Sequence, residues 1–220
     1  MSRVATAVWA VVIAVLVLLG VSACGDKSEM TLSGQVAVDT TTIDLTGPAQ
    51  VGPKPAWATT QTHPGAWIAA GRVGDLQVDA YQVDVVTASD PAMHRLLAPG
   101  ERQVIVNFVV TNQGETINVM PGKVVEISPQ YAGSPAPTSA PDTPTEVFEN
   151  RGLVSDGLAG TLTDSATYAF GTGQSLSFAK KFNYRPDTSI TFSMTLRTYN
   201  GSGAEIDGGT STGRLNATIR

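Results

Sequence analysis

Cysteine is almost missing from this 220-residue chain: the only one is Cys24, so no disulfide scaffold can hold the fold. Histidine is nearly as scarce, with His63 and His94 alone and none after position 94. A general base for hydrolytic chemistry is therefore hard to find. Only 15% of residues are charged, 14 basic against 19 acidic, and no basic cluster occurs along the sequence. Nucleic acid, which needs concentrated positive charge, is disfavoured as a partner. No stretch after the N-terminus carries a convincing helical repeat. Gly, Thr, Val, Ala and Pro are abundant instead, a composition that suits short strands and polar turns.

The most specific signal is N-terminal. Arg3 supplies a short positive region and Val8 to Leu19 an apolar one, followed by small residues up to Cys24. Val21-Ser22-Ala23-Cys24 resembles the lipobox of bacterial lipoproteins. The resemblance implies cleavage before Cys24 and a thioether lipid on its sulfur. An uncleaved anchor would need the same apolar run, but only lipidation needs the cysteine. A diacylglyceryl group brings two chains, enough for stable anchoring. Residues 1–23 are thus expected to be a lipoprotein signal peptide. The membrane, reached through lipid on Cys24, is the expected partner, with the rest on the extracytoplasmic face.

Residues 24–66 read as anchor, tether and N-terminal strands, with Leu32, Val36 and Val38 on one parity and Pro48, Pro53, Pro55 and Pro64 beyond them. Trp57 and Trp67 flank this Pro-rich run. They could form a ligand platform, or each ring could pin the loop to the domain. Residues 67–206 are expected to form the main domain. Val73 to Val85 reads as one long strand with a parity switch at Ala80-Tyr81, which predicts a bulge. Val104, Val106, Phe108 and Val110 make a strand with one dry face. Asn112-Gln113-Gly114-Glu115 then predicts a hairpin turn into Thr116–Met120. A Pro-rich loop follows at 129–145, with five prolines. Strands continue through Leu176, Phe178 and Phe182, and through Ile190, Phe192, Met194 and Leu196. Residues 207–220 form a Gly/Thr-rich tail with a weak last strand.

This spacing predicts an all-β fold, an antiparallel β-sandwich of immunoglobulin-like type behind the signal peptide. Leu76–Val86, Val104–Thr111 leading to Asn112-Gln113-Gly114-Glu115, and Gly173-Gln174-Ser175 ahead of Phe182-Asn183-Tyr184-Arg185-Pro186 resemble a bacterial family. It comprises immunoglobulin-like extracellular lipoprotein domains of unknown function, sometimes mislabelled telomeric repeat-binding factors. The resemblance covers residues 70 to 200 and implies a fold; it implies no activity.

Catalytic patterns fail on context. Gly209-Thr210-Ser211-Thr212-Gly213 matches a nucleophile elbow in letters, but that motif needs a strand before, a helix after and a later histidine. Ser177-Phe178-Ala179-Lys180 matches Ser-x-x-Lys, whose two residues meet only on a helix. No catalytic residue and no cofactor are therefore assigned. Met93-His94 with Met120 could make a soft copper site, and Asp75, Asp79 and Asp84 a calcium site, but nothing in the spacing makes either set converge. Solvated strand-face charges are the expected role of those aspartates. Two function classes stand. One is a non-catalytic module binding a protein or cell-envelope partner, through Trp57 and Trp67 or the 87–102 connection at one end of the sandwich. The other is a small-ligand or metal-binding surface lipoprotein.

Overall fold

The alternation of Val104, Val106, Phe108 and Val110 builds the central strand, β3 (Arg102–Asn112). The computed structural model describes residues 45–62, 64–120, 124–134, 144–159 and 167–220. Residues 1–23, expected to be a signal peptide, Cys24, all but the last residue of the strand pattern expected over 30–45, His63 and residues 135–143 of the Pro-rich loop lie outside the described residues. In chain order the other elements are β1 (Ala66–Val73), β2 (Leu76–Thr87), β4 (Ile117–Val119), β5 (Glu126–Tyr131), α1 (Thr145–Glu149), β6 (Tyr168–Phe170), β7 (Ser175–Asn183), β8 (Thr188–Tyr199) and β9 (Glu205–Ile219).

The strands form an all-β antiparallel sandwich. One sheet has the order β1-β2-β3-β7, the other β5-β8-β9, and β4 pairs with β6 in a short ribbon. Between the two main sheets lies an apolar core. Phe108 is at its centre, its ring 5.2 Å from Phe192, 5.8 Å from Phe178 and 6.4 Å from Phe182 between centroids. Val78, Ala80, Val104, Leu176, Ile190, Met194, Leu215 and Ile219 fill the space around it. Each of these side chains other than Ala80, fully buried, stabilises the fold by about 1.5–3 kcal/mol before entropy is counted. The opposite face of β5-β8-β9 is polar, with Thr191 Oγ1 bonded to Asn216 Oδ1 at 2.9 Å.

Several sequence expectations are corrected. The hairpin from β3 into Thr116–Met120 does not form: β3 pairs with β2 and β7, while β4 pairs with β6. Asn112 explains why, because its side-chain nitrogen donates to both Glu115 O and Phe170 O and so turns the chain out of the sheet. Val73 does not belong with β2. The Gly74-Asp75 pair makes a two-residue turn with Gly74 at φ +55°, and Val73 pairs with Leu76 across it. The parity switch in β2 falls at Val83, which the β2–β3 register skips, rather than at Ala80-Tyr81. Pro129 is not loop but strand, opposite Phe192. An edge strand tolerates it because proline has no N–H to leave unpaired. Finally, the sandwich does not stop at 206. The expected weak last strand is β9, fifteen residues long, with Leu215, Ala217 and Ile219 in the core.

Candidate binding surface

The strand β3 is dry on both faces, not one. Gln103, Ile105, Asn107, Val109 and Thr111 point away from the sandwich core and are nevertheless buried. Non-strand chain covers them: the strap 45–62, the 87–102 connection and the 144–159 segment. Val86, Met93, Leu97, Ile105, Val147, Phe148 and Leu153 make a second apolar cluster beneath this layer. Short polar side chains hold the strap. Gly52 N donates to Ser175 Oγ at 2.9 Å, and Asn107 Nδ2 donates to Thr62 O at 2.9 Å. Arg151 fastens the 144–159 segment, its Nη2 lying 2.8 Å from Asp84 and 2.9 Å from Asp90.

Trp57 lies in the strap, and Trp67 in β1. Trp57 donates its indole N–H to Ala169 O at 2.8 Å and packs its ring against Tyr168 and Phe170. Trp67 points its indole nitrogen at Asp79 Oδ1, 3.4 Å away. Each ring is half-buried, its polar tip is used internally, and the two rings engage different partners. Their geometry is that of pins.

The aspartates considered as calcium ligands do not converge. Asp84 is paired with Arg151, and Asp79 is not a solvated charge but a buried one. It accepts from Ala49 N at 3.0 Å and from Gln77 Nε2 at 3.2 Å. Burial raises its pKa, and the three donors (Ala49 N–H, Gln77 and Trp67) only partly offset that. The folded protein therefore holds this proton more tightly than the unfolded chain does. Asp79 supports folding most below the ordinary carboxylate range, and its contribution falls as pH rises through the raised value. Unfolding free energies of the native protein and Asp79→Asn should show the native advantage shrinking as pH rises from the ordinary carboxylate range through the raised value. A pH-independent difference would contradict the burial argument.

The other lookalikes also separate. Met93 is buried, while His94 is exposed and engages Pro91 O and Arg95. Ser177 and Lys180 lie on opposite faces of β7: Ser177 pairs with outward Val109, Lys180 with inward Val106. Gly209–Gly213 lies inside β9, so Ser211 is on no elbow. Among the described residues, no three His, Cys, Asp or Glu side chains gather as metal ligands.

What does converge is at one end of the sandwich, where β2 ends, β3 begins, β7 ends and β8 begins. Tyr184 N donates to Arg102 O at 2.9 Å, joining the start of β3 to the chain after β7. The Arg102 guanidinium lies over the Tyr184 ring at 4.8 Å. Next in sequence, Arg185 lies over Tyr131 at 5.2 Å. Tyr131 is buried and donates to Asn183 O at 2.6 Å, so it closes the core while its face meets the arginine. Neither Arg102 nor Arg185 has a carboxylate partner among the described residues. A shallow, open concavity of about 650 Å³ adjoins Arg102, lined by Thr87, Ala88, Ser89, Pro99, Gly100 and Glu101.

Comparison with family models, with curated proteins and with solved structures finds no match. The chain's own geometry must carry the functional reading. The concavity and Arg102 lie at the base of the 87–102 connection, one of the two places expected from sequence. The arginine–tyrosine pairs were missed because their members, at 102, 131, 184 and 185, meet only through strand pairing. Tyr184-Arg185 beside a turn proline was the one local clue.

Proposed function

We propose that this chain is a non-catalytic, lipid-anchored module of immunoglobulin-like type on the extracytoplasmic face of a bacterial membrane. In this reading it binds a protein or cell-envelope partner that presents anionic groups. The lipobox-like Val21-Ser22-Ala23-Cys24 supports the address. The observation that carries the binding role is the pair of arginines lying over tyrosines at the loop end, with no carboxylate partner among the described residues. Stacking fixes a guanidinium plane and leaves its N–H edge free for carboxylate or phosphate, which it grips in bidentate fashion. Loops gathered at one end of a sandwich are where such modules present recognition residues. Among the described residues the large exposed apolar side chains are Leu96 and Ile206, at separate places, so a polar contact fits better than a greasy patch.

Crosslinked pull-downs from intact cells test the binding role. The Arg102→Ala/Arg185→Ala variant should lose its partner about tenfold or more, two charge-assisted contacts being removed. Trp57→Phe, which keeps an aromatic ring but removes the N–H bonded to Ala169 O, should retain it. Equal capture by the arginine variant would remove that end from the interface. For the anchor, Cys24→Ser should release the chain from the membrane fraction and leave it unprocessed. A mature-sized variant still in that fraction would contradict lipidation.

A further inference from the structure

Asn200-Gly201 is the one Asn-Gly step in the chain, and it sits in the turn between β8 and β9. Backbone bonds close that turn. Asn200 N donates to Ala204 O at 2.9 Å and Gly203 N to Asn200 O at 3.0 Å, with Gly203 at φ +85°. The Asn200 side chain folds back over the same turn. Its Oδ1 accepts from Ser202 N at 3.0 Å, from Ser202 Oγ at 2.7 Å and from Ala204 N at 3.0 Å. Two of these donors are backbone N–H groups, which only the oxygen end of the amide can meet, so the amide's orientation is fixed.

Several features of this turn bear on one reaction. Donors around an amide oxygen make its carbon more electrophilic, and they bind more strongly once that oxygen carries a full negative charge. The bond from Ser202 N to Oδ1 is that of an Asx turn. Such a turn lays the side-chain carbonyl over the next peptide and brings Cγ toward the Gly201 nitrogen. Among the described residues no acceptor takes the Gly201 N–H. A Cβ at Gly201 would meet nothing within 4 Å, so the nitrogen is uncrowded. Asn200 is exposed, and none of the hydrogen bonds at this turn uses its Nδ2, the group that would leave. An aspartate at 200 would accept the same three bonds, so turn structure alone gives no reason for an amide.

We propose that Asn200 is a self-modification site, at which the folded turn promotes conversion of the asparagine to aspartate or isoaspartate. Water or hydroxide removes the Gly201 N–H proton, and the nitrogen attacks Asn200 Cγ. A C–N bond forms, and the three donors hold the oxyanion that develops on Oδ1. The Cγ–Nδ2 bond then breaks and ammonia leaves. Water opens the resulting five-membered succinimide. Attack at Cγ gives aspartate, and attack at the former backbone carbonyl gives isoaspartate, whose main chain runs through Cγ. Either product adds a carboxylate to a hairpin end where Glu205 and Asp207 are already exposed. The site is independent of the arginine–tyrosine end, and either can fail alone.

The test keeps the full chain in detergent in mildly alkaline buffer and follows the tryptic fragment 198–214 by mass spectrometry. The folded chain should convert about tenfold faster than the same chain unfolded in urea, a small share of what a buried oxyanion hole supplies. Isoaspartate should be among the products. Gly201→Val, which crowds the attacking nitrogen, should slow conversion in both states. Ser202→Ala removes one donor from Oδ1, so it should slow the folded chain severalfold and leave the unfolded chain unchanged. The proposal is overturned if the folded chain converts no faster than the unfolded one, or if aspartate forms without isoaspartate, the mark of direct hydrolysis. It is equally overturned if Ser202→Ala, melting as the native protein does, converts at the native rate.

Discussion

Gly213→Ala should destabilise the domain by roughly 3 kcal/mol or more, although it adds one methyl group to a strand. A Cβ at 213 would stand 2.0 Å from Arg72 O and 3.2 Å from Val73 Cα, both backbone atoms of β1. From the other side, a Cβ at Gly71 would stand 2.8 Å from Arg214 O. At this corner β1 of one sheet and β9 of the other approach backbone to backbone, which two glycines permit and any side chain blocks. Relief requires moving a whole strand, not rotating a side chain. Urea unfolding of the variant at neutral pH measures the loss. An unchanged midpoint would mean that β1 and β9 do not approach this closely.

The second large effect is expected from Phe108→Ala, at about 3–5 kcal/mol. Phe108 is fully buried, and three other phenylalanine rings lie within 6.4 Å of it between centroids. Truncation would remove ring contacts from both sheets at once and leave a cavity that rigid strands cannot close. Phe108→Leu should recover a good part of the loss. Ile206→Ser on the β8–β9 hairpin, where the side chain is exposed, should lie within about 0.5 kcal/mol of the native protein. A small domain has about 5–15 kcal/mol in total, so either core variant consumes a large share of it. A Phe108→Ala loss no greater than that of Ile206→Ser would show that the two sheets do not meet over this ring.

Phe108 and Gly213 also mark what was legible in the sequence. Phe108 sits in a period-two apolar run, and such runs at 104–110, 176–182 and 190–196 located the core strands correctly. Gly213 was read only as part of a catalytic lookalike, because its purpose is contact with residue 72, far away in the chain. Partner choice was illegible for the same reason. The Asn112–Glu115 turn chemistry is real, yet Asn112 uses it to leave the sheet for Phe170, a partner no local pattern announces. Gly74-Asp75 was legible as a two-residue turn and was passed over because apolar residues continue on both sides of it. The polar residues of β3 looked like a wet face. They are buried because 45–62, 87–102 and 144–159, all poor in regular structure, fold over them. Of the candidate site, the 87–102 connection could be anticipated from its length. The arginine–tyrosine pairs could not, since their members are brought together only by the strands' pairing.

The central claim is that one end of the sandwich, the end bearing Arg102 and Arg185, meets a partner outside the cell. It is tested most directly by a photo-crosslinking residue placed at Asp187 or, at the opposite end, at Gly201 in the β8–β9 turn. Both positions are exposed, and Gly201 has open space around it. In intact cells, illumination should yield a discrete adduct from position 187 and none from position 201, and the adduct should vanish when Arg102 and Arg185 are both alanine. An adduct from position 201 alone, or one from 187 that survives loss of both arginines, would contradict the account.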